Sequence, residues 1–273
     1  MDIQEKINYA IKLLRHYEPL AIKLNQEGYF LAFSGGKDSQ LLYLLAKLAK
    51  VRFRAYFSNT TNENPDNIRF IREKYPDVQF LHPEKNFYKL ISEKGLPTIS
   101  KRYCCSVLKE NVGGGYVVLT GERREESKRR AQYTAVSHQS RNKKRNREIK
   151  DFEEIKHECI KGKDKMRLRT LLEFTEKEVF AILEQYAIPR NPCYENHSRI
   201  GCIFCPFSKK EEIKEYCERF PRAKKTLLNS LQIYLDKNDS NLLNNAEEYF
   251  EWWLTKKSIK QYIAEKQQLK LDI

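Results

Sequence analysis

The sequence predicts an α/β fold: a mostly parallel twisted sheet with helices on both faces, followed by a helical C-terminal region. Three observations carry that expectation. Short apolar runs at residues 29–33, 53–57, 78–81 and 116–120 read as strands. Helix-spaced apolar stretches separate them, and strands that alternate with helices pair in parallel, because the chain must cross over before it can run in the same direction again. From residue 206 to the end the pattern is helical alone, with Leu227, Leu228, Leu231, Ile233 and Tyr234 and a later group at Tyr249, Phe250, Trp252 and Trp253.

Taken in order, Ile7, Ile11, Leu14 and Leu20 predict an amphipathic helix that ends before Gly28, within a first segment 1–27. A domain at 28–207 opens with the strand at 29–33, a turn from Ser34 to Ser39, and a helix carrying Leu41, Leu42, Leu44, Leu45 and Leu48. Pro65, just after Asn64, sits where a helix tolerates a residue without an N–H. A helix is expected around 87–93, a loop at 95–101, and another short helix starting at Cys104-Cys105. The polar run 137–150 shows no apolar periodicity and reads as a mobile loop, with order resuming at 168–174. Thr175 and Glu178 form a capping box before Val179, Phe180, Ile182 and Leu183. The extension 208–273 is helical, and there is no internal repeat.

Composition narrows the class. With 273 residues, 40% of them hydrophobic, the chain can bury a substantial core, and its 10 Gly and 9 Pro exclude collagen-like and low-complexity classes. The apolar stretch 41–48 is far shorter than a bilayer span, so no membrane partner is expected. Met1-Asp2-Ile3-Gln4-Glu5-Lys6 carries acids and no apolar core, so the expected compartment is the cytoplasm, where the seven cysteines remain thiols, metal ligands or packing residues. The net charge is +14, concentrated at 123–147, where Arg123, Arg124, Lys128, Arg129, Arg130, Arg141, Lys143, Lys144, Arg145 and Arg147 face only Glu125 and Glu126. Such a run reads equally as a binding surface for phosphate-bearing partners or as a solvated loop.

The sharpest motif is Ser34-Gly35-Gly36-Lys37-Asp38-Ser39. Glycines between a buried strand and a helix let backbone N–H groups approach an anion at the helix N-terminus, and Lys37 and the serines add donors. Its Gly and Lys are not spaced as in a Walker A loop. The turn resembles the pyrophosphate loop of enzymes that split ATP to AMP and pyrophosphate, the N-type ATP pyrophosphatase superfamily. The segment 121–130 is similar to the Gly-x-Arg-x-x-Glu-Ser-x-x-Arg segment of the phosphoadenosine phosphosulfate (PAPS) reductase family, and the stretches 171–175, 188–194 and 200–202 resemble the same family in the same order. This resemblance spans about 29–207. It implies an adenine nucleotide alpha hydrolase-like fold and a bound adenine nucleotide, either ATP, with Mg2+, or an adenylyl sulfate. Nucleotide contacts are implied at Ser34, Gly35, Gly36, Lys37, Asp38, Ser39, Asn59, Thr60, Gly121, Arg123, Glu126, Ser127 and Arg130, with Lys37, Asp38 and Arg130 in catalytic roles. Read locally, Asn59-Thr60-Thr61 with Glu63, after the second strand, is equally an ordinary strand-to-helix turn with an Asn64 cap.

Cys104-Cys105 and Cys202-x-x-Cys205 supply four thiols, which suit a tetrahedral zinc or an iron-sulfur cluster. The arrangement is similar to that of the adenosine phosphosulfate reductases that bear [4Fe-4S] and of related nucleic-acid sulfur-transfer enzymes, which implies a cluster. Cys159, Cys193 and Cys217 read as packing residues. His16, His82, His138, His157 and His197 show no metal-ligand spacing. Trp252-Trp253 reads as packing in preference to base stacking.

Sulfonucleotide reductases carry a nucleophilic cysteine in a Glu-Cys-Gly-Leu/Ile-His segment, and this chain has none: beyond Cys205 its one thiol is Cys217, in Glu215-Tyr216-Cys217-Glu218-Arg219. The expected function is therefore an enzyme that adenylates an acceptor oxygen and lets sulfur displace AMP, with tRNA or DNA as acceptor and a cysteine desulfurase or thiol donor protein as the resemblance's implied partner. The alternatives are a reductase of a small sulfonucleotide and a non-catalytic nucleotide or iron-sulfur sensing module.

Overall fold

Asp2 starts helix α1 (Ile3–Leu24) through a capping box with Glu5, and its buried residues Ile7, Ala10, Leu14, Tyr17 and Ala21 recur every three or four positions, one stripe of a helix. The computed structural model describes the chain apart from residues 141, 151–159, 161, 163, 198, 239–242, 244 and 272–273. Among the described residues seven strands follow: β1 (Tyr29–Ala32), β2 (Phe53–Ser58), β3 (Gln79–Leu81), β4 (Val117–Leu119), β5 (Val136–Gln139), β6 (Arg147–Ile149) and β7 (Lys165–Leu168). They form one sheet in the order β3-β2-β1-β4-β7-β5-β6. The first five in that order run parallel, with Leu31 opposite Ala55 and Leu119, and β4 in register with β7 through Val117 and Met166. The mostly parallel sheet is the one the alternating pattern predicts.

Helices α2 (Lys37–Ala49), α3 (Pro65–Lys74), α4 (Phe87–Lys94), α5 (Tyr103–Leu108) and α6 (Glu176–Gln185) lie between and after the strands, and α7 (Lys210–Arg219), α8 (Pro221–Asp236), α9 (Ala246–Thr255) and α10 (Ile259–Leu271) make the C-terminal region helical. Alternate strand residues split between two apolar clusters, as a pleated sheet requires. Leu31, Ala55, Phe57, Val117 and Leu119 join the large core with α1, α2, α3 and α6, whereas Phe30, Tyr56 and Val118 form a smaller cluster.

The run 137–150, expected as a loop, is instead an antiparallel hairpin of β5 and β6 added to β7, with Val136 opposite both Ile149 and Leu168. Val136 and Ile149 join the large core, but each strand has only that one apolar residue and the other face carries Ser137 and Glu148, so apolar periodicity does not reveal it. The guanidinium of Arg169 fills that space: it donates to Glu148 Oε2 at 2.8 Å, Ser137 Oγ at 2.9 Å, the Thr134 carbonyl at 2.9 Å and Glu122 Oε2 at 2.5 Å. Strand β7 escapes sequence detection for a related reason, since Lys165 is buried there and donates to the Val112 carbonyl at 2.8 Å.

The described chain divides into two compact units that interleave in sequence: Met1–Ser58, Pro65–Leu81 and Asn111–Ile200 form the first, and Asn59–Asn64, His82–Glu110 and Gly201–Ile273 the second. The second has its own core of Phe87, Leu90, Ile91, Ile203, Phe204, Leu227, Leu231, Phe250 and Trp253. Among the described residues no helix is long and apolar enough to cross a membrane.

Candidate functional site

In the first unit, β1 lies between β2 and β4 and delivers the chain to the N-terminus of α2. Gly36 precedes that helix without a capping side chain, so the anion-seeking end of the helix is not blocked by its own cap. Gly35 takes φ +77°, and a Cβ there would stand 2.3 Å from Asn67 Oδ1, so only glycine fits. Asn67 Nδ2 donates to the Ser34 carbonyl at 3.0 Å, and buried Asn191 donates to the Gly35 carbonyl at 2.9 Å and to Asn67 Oδ1 at 2.8 Å. Ser39 Oγ accepts from the Ser34 N–H at 3.1 Å and donates to the Gly36 carbonyl at 2.8 Å. The Lys37 N–H donates to the Tyr194 hydroxyl at 3.0 Å.

A closed ring of charge surrounds this loop. Lys37 Nζ stands 3.0 Å from Glu176 Oε1 and 3.4 Å from Asp38 Oδ2. Buried Arg123 donates through Nε to Asp38 Oδ1 and through Nη1 to Glu125 Oε2, both at 2.7 Å, and the Glu176 N–H closes the ring on Glu125 Oε2 at 2.7 Å. Burial alone would lower the Lys37 pKa, but Asp38, Tyr194 and Glu176 outweigh it and hold the ammonium above the ordinary lysine value. Arg123 is raised in the same way against its burial, chiefly by Asp38. Both are therefore permanent cations, available to compensate a polyanion.

Gly121 follows β4 with its Cα against Asp38, where a Cβ would meet the Asp38 Cβ at 3.1 Å. Beyond it, Glu126 Oε2 accepts from the Arg123 N–H at 2.9 Å and pairs with Arg130, whose own N–H donates to Ser127 Oγ at 3.2 Å. Thus Ser34 to Ser39, Gly121 and Arg123 come together directly, and Glu126, Ser127 and Arg130 form the adjoining turn. Asn59 and Thr60 belong to the second unit, where Thr60 Oγ1 donates to Glu63 Oε1 at 2.8 Å.

In that second unit Cys104, Cys105, Cys202 and Cys205 line one apolar pocket with Phe87, Leu108 and Phe204. The clamp that brings Cys202 there is made of backbone and the Asn62 amide: Glu63 and Cys202 form an isolated bridge, the Ile203 N–H donates to the Asn62 carbonyl at 2.9 Å, and the Asn62 side chain both accepts from the Phe204 N–H and donates to its carbonyl at 3.2 Å. Two cations attend the thiols. Lys109 Nζ lies 2.8 Å from Glu63 Oε1, and Arg102 stacks 5.0 Å from the Phe207 ring. A hydrogen bond from Cys104, together with Lys109 and Arg102, draws the Cys105 pKa down to about 6 against its burial, while its partner Cys104 is pushed up. Burial, Glu63 and Cys205 push Cys202 up to about 12 although Lys109 pulls the other way. Among the described residues no three His, Cys, Asp or Glu side chains stand close enough together to hold a single metal ion as placed. The donor set itself, four thiols in an apolar pocket beside Lys109 and Arg102, suits a thiolate-bound cluster whose net charge is negative.

Several of these residues lie beyond the motif reading. Lys109 follows Cys105 by one helical turn, a spacing that puts both on one face and could have marked it. Glu176 gives no such signal, because an acid in the first turn of a capped helix ordinarily answers the helix dipole. Cys193 and Cys217 are buried, and Trp253 is buried with Nε1 donating to the Pro97 carbonyl. Arg141, His157 and Cys159 lie outside the described residues.

Residues 28–208 match the phosphoadenosine phosphosulfate reductase domain. The chain belongs to that family. This PAPS reductase family chain carries its glycine loop at the end of the β1 strand of a mostly parallel α/β sheet. Two relatives, both described as uncharacterized proteins of Methanocaldococcus jannaschii, are 26% identical over 203 residues (70% of this chain, 44% of the relative) and 24% identical over 259 residues (87% and 49%). The chain spans about half the length of the curated relatives it matches. Among solved structures, phosphoadenylyl-sulfate reductase from Candida auris in a phosphate complex aligns at 13% identity with a TM-score of 0.48, covering 73% of this chain and 93% of that one. Candida glabrata FMN adenylyltransferase with FMN and an ATP analogue aligns at 16% and 0.49, covering 73% and 63%.

Proposed function

We propose that this PAPS reductase family chain is an ATP pyrophosphatase that adenylates an oxygen of a nucleic-acid acceptor and exchanges it for sulfur. The observation that carries the reading is the Lys37–Asp38–Arg123–Glu125–Glu176 ring at the N-terminus of α2, where Gly36 brings no capping side chain. Phosphate oxygens would take the place of the Glu176 carboxylate on Lys37, and Asp38 would keep Arg123 aimed at the same charge. Mg2+ would travel with the ATP phosphates.

Chemically, the acceptor oxygen attacks the α-phosphorus of ATP and pyrophosphate leaves, its developing charge compensated by Lys37 and the α2 N-terminus. The adenylated acceptor then loses AMP to an incoming sulfur nucleophile. Adenylation is needed because oxide is a poor leaving group and AMP a good one. Cys104, Cys105, Cys202 and Cys205 would hold a [4Fe-4S] cluster, which when bound supplies one-electron redox capacity. A cysteine desulfurase or thiol donor protein would be the source of the incoming sulfur. The family match supports a second reading, reduction of a small adenylyl sulfate.

Pyrophosphate release from ATP, measured with tRNA, with DNA and with neither, tests the proposal. Release stimulated by one polymer is expected. No release from ATP, with sulfite formed from an adenylyl sulfate and a thiol, would replace it by the reductase reading. Neither activity would leave a non-catalytic module.

A further inference from the structure

Glu63 is a buried carboxylate for which the adenylation chemistry has no use. Its side chain is 4% exposed, and a single oxygen, Oε1, receives three donors: Thr60 Oγ1 at 2.8 Å, Lys109 Nζ at 2.8 Å and Cys202 Sγ at 3.6 Å. Two of those donors come from the two cysteine-bearing segments. Lys109 ends the helix that carries Cys104 and Cys105, and Cys202 begins the Cys-x-x-Cys loop. All lie in the second unit.

We propose that Glu63 is a positioning residue of the four-cysteine site, a charged strap that ties the two cysteine pairs together and fixes where the Lys109 ammonium stands against the sulfurs. The geometry separates this role from ordinary folding. The backbone bridge of Glu63 to Cys202 and the bonds of Asn62 to Ile203 and Phe204 already hold the 60–64 segment on the Cys-x-x-Cys loop without the carboxylate. Among the described residues the backbone makes no such bond from that loop to Lys109; side chains alone join them, Lys109 meeting the Cys202 sulfur directly and the carboxylate holding both. Its consequence is electrostatic as well as spatial. Thiolates bound to a cluster bring negative charge into an apolar pocket, Lys109 offsets part of it, and Glu63 offsets part of Lys109.

The inference rests on the cluster reading for one of its two tests and is independent of it for the other. In anaerobically reconstituted protein, Glu63→Gln keeps an oxygen for Thr60 and Lys109 but removes the charge, so the iron content should stay near wild type while the reduction potential moves to more positive values. Lys109→Met should move it the opposite way. Glu63→Leu, which cannot hold Lys109, should release iron to a chelator at least several-fold faster. In metal-free protein, a short bis-alkylating reagent should bridge a cysteine of the 104–105 pair to one of the 202–205 pair, as mapped by mass spectrometry. Glu63→Leu should lower that yield several-fold and Glu63→Gln should preserve it. Wild-type protein without iron, but with bridging that depends on Glu63, would remove the cluster reading and leave the strap. Potentials, iron release and bridging all unchanged in both variants would overturn the strap itself.

Discussion

At Lys37 the electrostatic and structural contributions can be separated by one substitution. Lys37→Ala removes the ammonium from between Asp38 and Glu176, yet Asp38 keeps Arg123 and Glu176 is half-exposed, so water can take over part of what is lost. The expected cost in stability is about 1 kcal/mol or less, the scale of a partly exposed ion pair, whereas pyrophosphate release should fall more than tenfold. Thermal unfolding and a turnover assay on the same preparation check both halves. Gly35→Ala should behave in the opposite proportion. Its left-handed backbone costs a residue with a Cβ about 1–2 kcal/mol, and the new methyl would displace Asn67, which holds the Ser34 carbonyl. Urea unfolding should show that loss even in the absence of nucleotide.

Among the elements, the β5–β6 hairpin and the β7 strand beside it are the ones that sequence periodicity misses, and the reason is specific. A strand signal depends on apolar residues at alternate positions, but Ser137, Arg169 and Glu148 fill that space with a satisfied ionic network. Where side chains were apolar or capping chemistry was local, as in β1, α2 and the Thr175–Glu178 box, the elements were legible. The site divides along the same line. The glycine loop and the cysteine pairs announce themselves by residue type, while Glu176 and Glu63 acquire meaning only from partners far away in sequence. Glu122 tests the hairpin network. Burial would raise its pKa, but Arg167 and Arg169 more than reverse that and hold the carboxyl below its ordinary value. A depressed folded-state pKa stabilises above the unfolded value and stops doing so as pH falls through the folded one. Glu122→Leu should therefore cost about 3 kcal/mol or more near neutrality, because it leaves two guanidinium groups short of a partner. Wild type and variant should converge in urea unfolding as the pH drops below about 4.

On the scale of the whole molecule, a net charge of +14 predicts salt-dependent association with a polyanion. The cationic run at 123–147 is not uniform, since Arg123, Arg124 and Arg130 are engaged with carboxylates, while Lys128, Arg129, Lys144 and Arg145 are exposed. Changing those four to Ser should weaken tRNA or DNA binding and flatten the slope of log affinity against log salt by roughly one unit for each phosphate no longer neutralised, leaving ATP binding near wild type. Filter binding across a salt series would show it, and an unchanged slope would move the binding surface elsewhere. Finally, the interleaving of the second unit sets a clock during synthesis. Cys104 and Cys105 emerge from the ribosome well before Cys202 and Cys205, and the core that shelters all four draws Leu227, Leu231, Phe250 and Trp253 from later still. At roughly 5–20 residues per second, the first thiol pair waits on the order of 5–20 seconds for the second. Throughout that interval the newborn protein carries an adjacent, uncovered dithiol. A dithiol left uncovered for that long is open to oxidation, and the pocket that gathers all four cysteines cannot form until translation has passed Cys205.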